Sequence, residues 1–381
     1  MKILHCCLSC FYIDDYNYQE NILPRIHKQN GNDVLIIAST ETYIDNQRLG
    51  YVKPKAYLTN DNIVIHRIPY KKYFPRFLMK KIRDYRGTLK IIEAFKPDII
   101  MFHGVPAFEL LKIAKYKKEH RNVKLYVDSH EDKNNSGTNF FSKYFFHKLF
   151  YRWIVSKSIK FIDKILYLSA ESKDFLIDFY KIPERILEFY PLGGIVIDRA
   201  TKSAQREEIR SLLGISPDDI LFCHSGKMDE KKKTIEIIKN FVKTSNNKFK
   251  LIIIGTFTSD VSSNVMPLIQ SDKRVQFLGW KKSEELLKYI AGSDLYLQPG
   301  GQSATMQNAL CVGTPVLFEN VKSHQFYMRG NAFAINHSDE MANIFEEINR
   351  NPSILKKMSE KSFAFAEEFL DYEKLAHRLL L

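Results

Sequence analysis

No window of about 18 uncharged apolar residues occurs anywhere in the 381-residue chain, so no segment is expected to cross a bilayer as a helix. Cysteine is sparse and odd in number. Cys6, Cys7, Cys10, Cys223 and Cys311 do not form a disulfide framework and suit a reducing cytoplasm. Cys7 and Cys10 have the spacing of metal ligands but lack a second pair nearby, so neither metal nor other cofactor is expected. The opening MKILHCCLSCFYIDD has one lysine, a short apolar run, early acidic residues and no small-residue cleavage site. It reads as a first strand, not a signal peptide. There is no low-complexity tract and no repeat beyond a coarse doubling. One further absence is local: QPGGQSATMQNALCVGTPVLF, Gln298 to Phe318, contains no acidic residue. It nevertheless reads as strand, double-glycine turn, short helix, glycine stop and second strand, a layout suited to holding an anion.

What is present is ample apolar material, 45% with 13% aromatic, enough for two cores. The formal charge of +13 favours anionic partners: phosphates, nucleic acid or an anionic membrane. KILHCCL, DVLIIA, IVIHRI, PDIIMF, VKLYVD, DKILYLS and RILEFY alternate with longer amphipathic stretches, the pattern of parallel strands joined by helices. A polar stretch, IDRATKSAQREEIR, follows PLGG (Pro191 to Gly194) and marks a domain boundary. The alternation restarts with DILFCHS, KLIIIG, VQFLG, DLYLQ, TPVLF and AFAI. The expectation is an α/β protein: domain one over residues 1–194, domain two over 195–355, and a helical segment over 356–381 crossing back over both. Ligands in two such doubly wound sheets would line the cleft between them.

In the second half, HSGKMDEKKKTIEIIKNF brings Lys227 and Lys232 near a strand's carboxyl end, where they could clamp a diphosphate. Lysines at a helix start oppose the macrodipole unless an anion lies between. Gly300 and Gly301 allow close backbone approach, Ser303 is expected to cap a helix running to about Val312, and the amides from Gly301 through Ala304 to Thr305 are left for an anion. Gly313 and Pro315 end that helix. In the first half, Asp128, His130, Glu131 and Asp132 form the densest titratable group.

GKMDEKKKT, KLIIIG, VQFLGW with SEELLKYIAGSDLYLQPGG, and NALCVGTPV, in this order, resemble the nucleotide-sugar domain of glycosyltransferase family 4, a retaining family of the GT-B fold. PLGG resembles its interdomain junction, and PDIIMFHG and KLYVDSHED its fourth and fifth strands. The resemblance implies two Rossmann-like domains and a nucleotide diphosphate sugar donor. It makes Lys227 and Lys232 the diphosphate ligands and catalytic cations, Gly279 and Trp280 the base site, and His103 a group near the transferred sugar with His130 on the next strand end. The family's two glutamates, eight positions apart, fall here on Gly300 and Asn308. Asn308 can still pair with ribose hydroxyls, and Gln302 and Gln307 are candidate substitutes for the sugar contact. The glycine-poor first loop, SCFYIDDYNYQENILPR, offers Tyr18, Gln19, Glu20 and Asn21, with Asp14, Asp15 and Asp132, to an acceptor.

Tyr70 to Lys90 and Phe140 to Lys157 interleave basic and aromatic residues, as a helix lying on an anionic bilayer does. No nucleic-acid motif accompanies the charge. The reading is a cytoplasmic transferase, with the inner face of the membrane as a candidate docking surface, adding sugar to a glycan or lipid-linked glycan hydroxyl in surface polysaccharide synthesis. A nucleotide-sugar epimerase and a catalytically degenerate partner subunit remain as alternatives.

Overall fold

The computed structural model describes the chain except residues 46–47, 134–135, 137–141 and 302. Its strands in the first half are β1 (Lys2–Cys7), β2 (Asp33–Ser39), β3 (Glu41–Asp45), β4 (Arg48–Tyr51), β5 (Lys55–Leu58), β6 (Val64–Ile68), β7 (Ile99–Phe102), β8 (Lys124–Ser129), β9 (Lys164–Tyr167) and β10 (Leu187–Phe189). Eight of them form one sheet in the order β10-β9-β8-β7-β1-β2-β6-β5. All neighbours are parallel except β5 and β6. Both faces are covered, which is why β1, β2 and β7 are nearly continuous apolar runs. A large cluster around Leu4, Ile100, Leu125, Phe175 and Tyr180 lies on one face and a smaller one around Val34, Ile36 and Ile65 on the other.

The second sheet contains β11 (Ile220–Met228), β12 (Phe249–Phe257), β13 (Val275–Phe277), β14 (Leu295–Gln298), β15 (Val316–Glu319) and β16 (Ala332–Ile335). Its order is β13-β12-β11-β14-β15-β16, parallel throughout. One of its two cores holds an aromatic knot. Phe222 meets Phe249 at 5.2 Å and Phe345 at 5.1 Å between ring centroids, edge to face, each pair adding about 1 kcal/mol beyond burial.

All thirteen runs read as strands are strands. The hairpin β3–β4 and the antiparallel edge β5 were not anticipated. Lys55, Ala56 and Leu58 are exposed, so β5 lacks the apolar run that made the others visible.

The chain divides into one unit of Met1–Pro191 with Glu373–Leu381 and a second of Leu192–Tyr372. The expected helical segment over 356–381 is two helices, Ser353–Phe369 and Tyr372–Arg378. The first packs Leu355, Met358, Phe365 and Ala366 into the second unit's cores. Most of the second belongs to the first unit, where Tyr190 donates to the Leu375 carbonyl at 2.6 Å. Between the helices, Gly194 of PLGG donates to Leu370 O (2.9 Å) and accepts from Tyr372 N (3.3 Å).

Candidate functional site

In the second unit β11 leads to β12 on one side, and β14 joins on its other side. The carboxyl ends of β11 and β14 therefore flank the point where strand order reverses, the usual place for a ligand in an open α/β sheet. Lys227 stands there exposed. Lys232 ends the short turn Glu230–Lys232 and folds its stem over Gly226, where an added Cβ would lie 3.4 Å from Lys232 Cε. Its ammonium is half-buried and has no hydrogen-bond or ion-pair partner among the described residues. Burial lowers its pKa against the opposing pull of the Asp229 carboxylate at the start of the same turn. Beneath it His224 is neutral: burial pushes it down to about 4, Nδ1 donates to the Leu297 carbonyl at 2.8 Å and Nε2 accepts from Thr234 at 3.0 Å.

The glycine turn adds backbone to this rim. Ser303 occupies the N-cap position of helix Ala304–Cys311 but makes no capping bond. Its hydroxyl instead reaches Gln298 Oε1 at 3.4 Å, so the first helical amides keep their donors, contrary to the expected cap. Gly301 and Ala304 are exposed. Gln302 lies outside the described residues. A Cβ on Gly300 would sit 2.2 Å from the Lys231 carbonyl oxygen, so the Lys231–Lys232 backbone occupies the space a side chain would need. Asn308 is half-buried, and its Oδ1 would lie 2.7 Å from a Cβ on Gly194. Gln307, considered as a substitute, is turned into the core and donates to Tyr327 at 2.6 Å. Gly279 accepts from Gly255 N at 2.8 Å, and Trp280 leaves its ring 67% exposed.

In the first unit strand order reverses between β1 and β7, and titratable groups gather at the ends of β1, β7 and β8. Asp128 is fully buried. Its Oδ2 accepts from His103 Nδ1 at 2.6 Å and its Oδ1 from Gly104 N at 2.7 Å. Burial works against both charges, yet the pair holds Asp128 below the usual carboxylate range and lifts His103 to about 9. His103 is itself buried and its Nε2 meets His5 Nδ1 at 3.0 Å, so both ring nitrogens are used inside the protein. His130 Nε2 lies 3.8 Å from Asp128 Oδ2 with its side chain 42% exposed; it is the imidazole open to solvent. Ser129 donates to Glu131 at 2.5 Å. Burial raises the Glu131 carboxyl, against the lowering effect of that bond and of the cations nearby. One of these is Arg83, bonded to Ser9 Oγ (2.8 Å) and Pro106 O (2.9 Å).

Of the first-loop candidates, Gln19 is buried with both amide atoms unsatisfied, a cost of about 1–3 kcal/mol per group that a ligand could relieve. Glu20 is half-buried and Tyr18 exposed. Asn21 faces inward, donating to Ile13 O at 2.9 Å. Asp14 is taken by Arg67 (3.0 Å) and Tyr57 (2.6 Å). Asp132 is half-buried, its carbonyl accepting from Ser136 N. Sequence reasoning missed His5, His27, Ser9 and Arg83. A histidine inside the apolar run KILHCCL was the available signal for His5. The 760 Å³ cavity among Glu93, Tyr116, His120 and Val123 opens at the amino ends of β7 and β8, away from all these groups.

Phe140 and Phe141 of the second basic-aromatic stretch lie outside the described residues; the described parts of the two stretches are in contact. Helix Arg76–Ile82 and the helical run Ser142–Tyr151, continued by Arg152–Ser158, are joined by Tyr151 OH donating to Lys81 O at 2.6 Å. Tyr73, Phe74, Phe77, Phe145, Leu149 and Trp153 are exposed among Lys72, Arg76, Lys81, Arg152 and Lys157. A 500 Å³ cavity beside them is lined by Arg152, Lys160, Lys181 and Arg185 over apolar residues.

Two Rossmann-like parallel sheets in one chain, with polar sites at their carboxyl ends, are the GT-B architecture. Residues 205–364 match the family model described as Glycosyl transferases group 1, so the second unit carries a glycosyltransferase domain. The fold is shared with a glycosyltransferase from Rickettsia africae (14% identity, TM-score 0.72, 100% of this chain and 96% of that one). It is shared likewise with Anabaena HepE in complex with UDP (15%, 0.69, 100% and 98%) and with WaaG, a glycosyltransferase involved in lipopolysaccharide biosynthesis (14%, 0.60, 99% and 99%). No curated protein matches the sequence.

Proposed function

We propose that the protein transfers a sugar from a nucleotide diphosphate sugar to a hydroxyl of a glycan or lipid-linked glycan acceptor, with retention of anomeric configuration. The observation that carries this is Lys232: a half-buried ammonium without a partner among the described residues, beside uncapped helix amides. Fixed donors in a partly desolvated site stabilise charge as it develops on a leaving diphosphate. Lys227 adds a second, exposed cation, and neither role calls for a metal. HepE binds UDP and UDP-glucose, which makes UDP-sugars the first donors to test. Retention rests on the resemblance to family 4 alone.

In the first unit, His130, Glu131, Gln19 and Glu20 are the acceptor-side and sugar-side candidates. The exposed aromatics set among cations suit a peripheral contact with an anionic bilayer, which would bring a lipid-linked acceptor within reach from the cytoplasmic side. WaaG's involvement in lipopolysaccharide biosynthesis supports a surface glycan as the product.

A panel of nucleotide sugars, assayed for nucleoside diphosphate release with and without lipid-linked acceptors, tests the reading. Acceptor-dependent release from one donor is the expected result. Free epimerised sugar nucleotide without acceptor would point instead to an epimerase, for which the cluster at His130 also has the groups. Failure to bind any common nucleoside diphosphate in calorimetry would make the chain a non-catalytic partner.

A further inference from the structure

Three buried imidazoles in the first unit form an unbroken chain. His27 Nε2 meets the Ala376 carbonyl at 3.0 Å, His27 Nδ1 meets His5 Nε2 at 3.1 Å, His5 Nδ1 meets His103 Nε2 at 3.0 Å, and His103 Nδ1 meets Asp128 Oδ2 at 2.6 Å. His5 and His27 are both wholly buried. The chain's two ends fix its protons. A carbonyl has none to give, so His27 Nε2 carries the hydrogen. A neutral His27 then offers Nδ1 as acceptor, which requires a hydrogen on His5 Nε2. A neutral His5 in turn accepts at Nδ1 and requires one on His103 Nε2. Because the Asp128 carboxylate accepts at the far end, His103 Nδ1 is protonated as well. Four hydrogen bonds need four protons on three rings, one more than three neutral imidazoles hold. With only three, one nitrogen pair would face lone pair to lone pair in a buried site, where an unmade bond is expensive.

The geometry points to His5 and His27 as positioning residues whose hydrogen bonds keep His103 a fixed imidazolium, closed to substrate through its ring nitrogens, with His130, partly exposed beside the same carboxylate, as the imidazole that meets the sugar or acceptor. This rests on reading the first unit as the sugar and acceptor side of a transferase. The groups facing His103 agree: Asp128 from β8, His5 from β1, Cys10 from the loop after β1, and Glu20 and His27 from helix Gln19–Gln29, while His130 and Glu131 act on Asp128 and on each other. Burial, the first cause, and mutual repulsion lower His5, and burial lowers His27, leaving the charge to His103 beside the carboxylate.

Long-range proton–nitrogen correlation spectra of the full chain labelled with 15N-histidine read the protons directly and need no substrate. At pH 7.5 His27 and His5 are expected as neutral Nε2–H tautomers and His103 with both nitrogens protonated. A neutral His103, or His27 protonated at Nδ1, would overturn the inference whatever the chain transfers. The activity arm uses two variants. His27→Gln offers an amide that accepts from His5 and donates to Ala376, and should keep the wild-type pH profile. His27→Phe breaks the chain and should move the alkaline limb of kcat down by about one pH unit or more, with KM little changed. Identical profiles for the two variants would refute the positioning role. If His27→Phe does not fold, the spectra and the His27→Gln profile still decide.

Discussion

Lys232 makes the sharpest test because function and stability should move in opposite directions when it is replaced. The ammonium is half-buried and unpaired among the described residues, and burial holds its pKa below the ordinary lysine value. The folded state therefore bears a desolvation cost for the charged form, in full below the folded pKa and vanishing above the unfolded value near 10.4. Lys232→Met keeps the stem that packs over Gly226 and removes the charge. Two unit charges about 4 Å apart attract by about 4 kcal/mol at an effective dielectric near 20, and part of that is realised only as the diphosphate leaves. We expect kcat/KM to fall roughly 100- to 1,000-fold, mostly in kcat, equivalent to about 2.7–4 kcal/mol. Thermal unfolding of the same variant should be unchanged or higher by a few degrees, since about 1 kcal/mol corresponds to roughly 2–4 °C in a domain of this size. The wild type should also gain stability as pH rises towards 10, and the variant should lack that component. Steady-state transfer kinetics and calorimetric melting from pH 7 to 10 measure both. Activity within about threefold of wild type, or a melting temperature lowered by about 5 °C or more, would refute the assignment.

Three further outcomes follow from the same geometry. Gly300→Ala puts a methyl group 2.2 Å from the Lys231 carbonyl oxygen and should cost about 1–3 kcal/mol as an overpacked site while weakening nucleotide binding; Gly301→Ala, with nothing within 4 Å, should be nearly silent in both melting and calorimetric titration. His103 is raised to about 9, so its contribution to stability is whole below about 6.5 and is lost as pH climbs through 9, on the order of 3 kcal/mol. His5 and His27, lowered by burial, subtract stability as pH falls below about 6.5. Urea titrations should thus show a maximum near neutral pH, and Asp128→Asn should abolish the alkaline decline. Replacing Phe77, Leu149 and Trp153 together by Ser should leave turnover of a soluble acceptor intact and abolish co-sedimentation with vesicles containing anionic lipid, which the wild type should show; equal binding by both proteins would remove the membrane reading.

The architecture was legible because parallel strands buried on both faces write themselves as apolar runs, and thirteen such runs stand between amphipathic stretches. β5 escaped because an edge strand with Lys55 and Leu58 in solvent carries no such pattern. In the second unit the glycine turn, Lys227 and Lys232 were visible from residue type and spacing. The uncapped Ser303 was not, since the choice between a helix amide and Gln298 is made by side-chain rotamers. In the first unit sequence singled out His103 and His130 as a pair, whereas the structure separates them by exposure. Nothing local tells that His103 spends both nitrogens within the protein, because its partners lie 98 residues away at His5 and 25 away at Asp128. The histidine chain ends on a carbonyl 349 residues from His27, a closure that only the return of the last helix makes.

The two glutamates that the resemblance to family 4 leads one to expect at positions 300 and 308 would be missed in different physical ways. At Asn308 an amide stands where a carboxylate is expected, so hydrogen bonding survives in neutral form. At Gly300 the space itself is gone: the carbonyl of Lys231 fills it, and the same approach of backbone brings Lys232 over the end of β11. A glutamate there would need the lysine turn to withdraw, and its carboxylate would then compete with a phosphate for the Lys232 ammonium. With Gly300 that cation has no hydrogen-bond or ion-pair contact among the described residues, and only the Asp229 carboxylate at the start of its own turn pulls on it. On the proposed function, the exchange trades a side chain able to grip a sugar hydroxyl for a site of higher positive potential towards a diphosphate. On the same reading, sugar selectivity then comes from groups other than residue 300, and the buried amide of Gln19, unsatisfied at both atoms, and the half-buried Glu20 are candidates with hydrogen-bonding capacity to spare.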